Sequence, residues 1–109
     1  MTWLEPWYSV ADEPAESAGM KRELEQELAP GHPLFGVPVE TMGRCCDDVV
    51  FRLLDGSGRI AVVHLTWNHN APDPSSDPAT AIFESEDRWI AECMRPDHKE
   101  YTDFDRGER

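Results

Sequence analysis

A chain of 109 residues with four Trp, four Phe and two Tyr has room for one hydrophobic core and one domain. Its 22 acidic against 10 basic residues leave a net charge of -12, which repels nucleic-acid phosphates and anionic membranes but permits a basic protein partner. No run approaches the ~18 apolar residues of a membrane span and no charged segment leads into an apolar one, so a reducing cytoplasmic setting is expected.

Residues 1–11 are rich in aromatics, and Trp3, Leu4, Trp7 and Tyr8 are expected to pack onto the domain, with a partner-binding arm as the alternative. Asp12-Glu13-Pro14 reads as a helix start, with acids where the helix dipole favours them and proline in the first turn. Met20, Leu24 and Leu28 recur at helical spacing, which leaves Glu23, Glu25, Gln26 and Glu27 for the wet side. Pro30-Gly31 stops that helix. Pro38 restricts residues 37–45 to an edge strand or an extended approach.

The clearest local pattern follows. Residues 48–55 and 59–67 are β-branched and aromatic runs joined by Gly56-Ser57-Gly58, whose glycines allow the positive φ angles of a tight hairpin. Period-2 alternation places Val49, Phe51 and Leu53 on one face with Ala61, Val63, Leu65 and Trp67. The other face then mixes Val50, Arg52 and Leu54 with Ile60, Val62, His64 and Thr66. Residues 68–81 read as a long proline-containing loop, and Ala81-Ile82-Phe83 as a short strand. Ser85 caps a second helix whose apolar stripe is Trp89, Ile90, Cys93 and Met94. Pro96 is expected to end it, leaving residues 1–96 as the domain and 97–109 as a polar, frayed tail. The expected class is α+β: a three- to four-stranded antiparallel meander with an N-terminal and a C-terminal helix packed mainly on its apolar face.

Four histidines (His32, His64, His69, His98) and three cysteines raise the question of a metal. There is no Cys-x-x-Cys, and His64 and His69 do not share a helical face, so no metal ligand set and no cofactor is assigned. Adjacent Cys45 and Cys46 read as one buried and one exposed thiol, not a redox pair. Opposed side chains on neighbouring strands lie ~5 Å apart, so Arg52 and His64 are expected to converge, with Thr66 and Glu40 nearby, on an anion or carboxylate. Asp47 and Asp48 directly precede the hairpin, either as a metal or base site at the strand mouth or as turn acids that bond local backbone. No nucleophile elbow, phosphate loop or paired-carboxylate motif accompanies His64, so no catalytic residue is assigned.

Residues 30–36 (Pro-Gly-His-Pro-Leu-Phe-Gly), 47–51 (Asp-Asp-Val-Val-Phe) and 61–67 (Ala-Val-Val-His-Leu-Thr-Trp) resemble a pattern shared by a group of small uncharacterised bacterial proteins. The resemblance spans roughly residues 20–95. It implies a bacterial, cytoplasmic protein and carries no activity with it. The functional expectation is a small acidic binding protein of the immunity or antitoxin kind, which inhibits a basic partner. The alternatives are a small-molecule or metal-dependent site, even an enzyme, on the Arg52/His64/Thr66 face, or a homodimer that buries that face. The candidate binding residues are thus Arg52, His64, Thr66, Asp47, Asp48 and Trp67.

Overall fold

Alternating β-branched residues build the centre of the molecule. The computed structural model describes residues 2–67 and 78–106. Its strands β1 (Tyr8–Ser9), β2 (Val39–Cys45), β3 (Asp48–Leu53), β4 (Ile60–His64) and β5 (Thr80–Phe83) form one antiparallel sheet in that spatial order. Helix α1 (Pro14–Glu27) lies between the first two strands in sequence. At the other end α2 (Glu86–Trp89) runs through a π-helical turn (Ile90–Met94) into α3 (Arg95–Arg106). The α+β class and the antiparallel meander hold. The sheet has five strands rather than three or four, because the aromatic arm adds Tyr8–Ser9 alongside Gly43 and Arg44.

The two faces of the sheet bury two separate clusters. Val49, Phe51, Leu53, Ala61, Val63 and Leu65 pack with Met20 and Leu24 of α1, together with Val10, Leu34 and Val39. The period-2 reading of that face is correct up to Leu65. On the opposite face Val50 and Ile60 pack with Met42, Trp7, Trp89 and Met94, flanked by Trp3, Leu4, Val62, Phe83 and Ile90. The helices therefore do not share the apolar face as expected: α1 covers one face, and the C-terminal helix with the N-terminal arm covers the other. Trp89 is the pivot of the second layer, in edge contact with Trp3 (5.8 Å between ring centres) and Trp7 (5.4 Å). Truncating a buried Trp of this kind costs about 3–5 kcal/mol.

Three local expectations change. The helix does not end at Pro96. The π turn lets the Arg95 amide donate to Ile90, and the widened backbone admits a proline ring that would otherwise strike the carbonyl four residues back. The chain then stays helical to Arg106 where a frayed tail was expected, held by the Trp7 indole N–H donating to Asp97 (2.8 Å) and by His98 against the Glu5 carbonyl (2.6 Å). Glu23 and Glu27, assigned to the wet side of α1, are each only 4% exposed. They fall on the same helical stripe as Met20, Leu24 and Leu28, which a spacing of three and four residues dictates. Pro38 precedes β2 as an extended approach, and β2 itself is internal, between β1 and β3.

The turns follow the sequence signals. Gly56 (φ 86°) and Gly58 (φ 76°) take the left-handed angles in the β3–β4 connection. There the hydroxyl and amide of Ser57 donate to Asp55 and, with Arg59, hold its carboxyl down at about 2. Ser85 caps α2 by accepting from the Arg88 amide. Glu13 precedes α1, with Pro14 at its first position, but makes no side-chain cap. No helix among the described residues is long and apolar enough to cross a membrane.

Candidate functional site

The register of β3 against β4 decides which candidate residues meet. Asp48 lies opposite His64, and Arg52 lies opposite Ile60. Arg52 and His64 are thus four residues apart along the hairpin, on the order of 13 Å at strand rise, and do not converge. Arg52 is instead held by two carboxylates, Glu86 (2.9 Å) and its cross-strand partner Glu40 (3.4 Å). The expected proximity of Glu40 is present, but it neutralises the arginine. The face between these ends, expected to lie open for a ligand or a second copy, is filled by Trp7, Trp89 and Met94 of the same chain. Grooves of about 310 and 620 Å³ flank α1, and neither includes Arg52 or His64.

The remaining candidates do gather, at the other end of the hairpin. Pairing of Cys45 with Asp48 leaves Cys46-Asp47 as a two-residue connection between β2 and β3. Cys46 takes the left-handed angle this requires (φ 57°), and the Arg44 guanidinium donates twice to its carbonyl. The Asp47 carbonyl accepts from the Leu65 amide (3.0 Å), which places the exit of β4 beside this turn. His64 Nδ1 meets Asp48 Oδ1 at 2.7 Å. The hydrogen bond to Asp48 outweighs desolvation and raises the imidazole above its usual value, with Asp47 and Glu27 adding to the effect.

Beyond His64 the chain leaves the sheet. Thr66 is exposed just past the end of β4 instead of extending its mixed face. Trp67 does not join the apolar cluster to which alternation assigned it. Its backbone turns left-handed (φ 54°) and its side chain is 47% exposed. A left-handed angle is unfavourable for a bulky residue and persists only where its surroundings over-determine it. The determinant is Glu27, whose carboxylate accepts from the amides of Thr66 (2.9 and 3.1 Å) and Trp67 (2.9 Å). Burial alone would raise the Glu27 carboxyl, but the hydrogen bonds from Glu23, Thr66 and Trp67 together outweigh it and hold the group below its ordinary value.

Sequence reasoning missed two residues here. Glu27 could have been found from its helical register with Leu24 and Leu28. His32 carried no such signal beyond its place between glycine and proline. It is buried; its Nδ1 accepts from the Leu34 amide (3.0 Å), so the proton sits on Nε2, which donates to the Pro78 carbonyl (3.0 Å). It thereby ties the turn after α1 to the entry of β5. The two partly buried thiols are not poised for chemistry. Burial pushes Cys45 up to about 11 and Cys93 up to about 12. Among the described residues no group of three or more His, Cys, Asp or Glu is placed to hold a metal ion. His69 and most of the expected loop lie outside the described residues, at positions 68–77. In comparisons with known proteins, the chain matches no family model, no curated protein and no solved structure.

Proposed function

We propose that this protein is a binding module that docks a basic protein partner on the Asp47/Asp48/His64/Trp67 end of the hairpin, in the manner of an immunity or antitoxin-type inhibitor. The observation that carries the reading is Trp67: a large aromatic ring left in solvent on a backbone pinned by a buried carboxylate. Rigid, exposed tryptophans beside charged groups are typical anchors of protein interfaces, and an exposed indole face on an acidic chain suits an arginine or lysine side chain. The charge of the whole chain favours the same partner. Arg44, Arg52, Arg59, Arg88 and Lys99 are engaged by the chain's own carboxylates, so the excess of acids is what a partner meets. The small-molecule reading of the Arg52 face loses support because Arg52 is neutralised and the neighbouring surface is filled.

Affinity capture with the full chain, Trp67→Ala and the Asp47→Asn/Asp48→Asn double variant tests this. The expected result is a partner of high isoelectric point, retained at low salt by the parent chain and lost by both variants. Equal capture by all three chains, or an acidic partner, overturns the reading.

A further inference from the structure

The bond between Glu27 and the end of β4 spans 39 residues of sequence and joins the α1 side of the sheet to the segment that presents Trp67. Both amides point at one carboxylate, and that carboxylate is almost wholly buried. The chain could have closed this corner with a neutral acceptor such as a backbone carbonyl. It uses a titratable one.

We propose that Glu27 is the positioning residue of the Trp67 surface and that it acts as an acid-released clasp. Ionised, it holds Thr66 and Trp67 in the left-handed turn that exposes the indole; protonated, it lets the turn go. The physical reason is the asymmetry between charged and neutral acceptors. An N–H bond to a carboxylate is about twice as strong as one to a neutral oxygen, and a protonated carboxyl also brings a donor that faces two other donors. Once the clasp opens, the hydrogen bonds that offset the unfavourable backbone angle of Trp67 are lost.

The groups that face Glu27 set where release occurs. From α1 comes Glu23, hydrogen-bonded to it; from the exit of β4 come the two amides and the Thr66 side chain. His64 of β4 also acts on it through space and is itself held by Asp48, with Asp47 close by. The amides favour the carboxylate, and His64 becomes cationic in acid, so both postpone release. The clasp therefore opens below the ordinary carboxylate value of 4.5, not at it. The consequence for partner binding rests on the function proposed above, whereas the clasp itself does not.

The test is hydrogen exchange and ¹H–¹⁵N spectroscopy of the full chain from about pH 7 down to about pH 3, following the amides of Thr66 and Trp67 against those of Phe51 and Val63 in the core. The expected result is a transition of Thr66 and Trp67 at a pH where the core amides remain protected. Glu27→Gln, a neutral isostere, lowers the protection factors of both amides at least about tenfold at neutral pH. Glu25→Gln, on the exposed side of the same helix, leaves them unchanged. The clasp is overturned if Thr66 and Trp67 lose protection only together with Phe51 and Val63, or if Glu27→Gln is protected like the parent chain. The titration of the parent chain decides the matter even if the variant fails to fold. Failure of the partner reading is separate: Trp67→Ala would then retain the captured protein while the amide transition persists.

Discussion

Replacing Gly43 with Ala probes the contact that closes the second face of the sheet. Gly43 lies opposite Ser9, and a β-carbon built there would fall on the ring of Trp3 and the carbonyl of Tyr8. The ring can move, but the carbonyl belongs to β1 and cannot retreat without breaking the β1–β2 pairing. Overpacking of this kind costs about 1–3 kcal/mol. The upper bound is set by detaching the arm, which would uncover Trp7, now 2% exposed, at about 3–5 kcal/mol. A loss of about 2–3 kcal/mol is expected, equivalent to roughly 10–20 °C in Tm for a domain of this size. Urea and thermal unfolding of Gly43→Ala measure it, with the indole N–H signals of Trp3 and Trp7 as local reporters. Gly19→Ala is the control: nothing lies within 4 Å of its β-carbon, and it sits inside α1, so that change stabilises by about 0.5–1 kcal/mol. A Gly43→Ala chain within about 0.5 kcal/mol of the parent, with both indole signals unmoved, would refute the docked arm and with it the argument that the second face is covered.

Other consequences follow from the same geometry. His64 binds its proton more tightly in the folded chain than in the unfolded one, so its contribution to stability is complete below about pH 6.5 and fades as the pH rises through the raised folded value. Because the side chain is 58% exposed, the increment is at most about 0.5 kcal/mol. Urea titrations at about pH 5.5 and pH 8.5 should show it in the parent chain and not in His64→Gln; an equal pH dependence in both would contradict the Asp48 pairing. Iodoacetamide near neutral pH should label exposed Cys46 while Cys45 and Cys93 react slowly, their thiols held at about 11 and about 12; mass spectrometry of the digested protein reads the order. Arg52→Ala is expected to cost no more than about 1 kcal/mol, since both of its ion pairs are partly exposed, and to leave partner capture intact. Loss of capture in that variant would move the site to the opposite end of the hairpin.

Periodicity alone determined the elements that depend on near neighbours. Alternating Val49, Phe51 and Leu53 against Ala61, Val63 and Leu65 specified a hairpin with one buried face, and Gly56 and Gly58 specified its connection. Ser85 marked the start of the C-terminal helix, and the Met20–Leu24 spacing marked α1. What tertiary structure decided is whatever depends on distant partners. The β3–β4 register separated Arg52 from His64, because period-2 alternation assigns residues to faces but does not set the pairing offset between two strands. Helical spacing puts Glu23 and Glu27 on the stripe of Met20 and Leu24, but what makes a buried carboxylate at Glu27 tolerable is the end of β4, which arrives with two amides that need an acceptor. The helix passed through Pro96 because a π turn and the Trp7–Asp97 bond stabilised what local rules forbid. Trp67, placed in the core by alternation, was turned outward once the strand ended at His64, three residues early. A hydrophobic pattern records which residues can be buried, and only the assembled fold supplies the partner that determines which ones are.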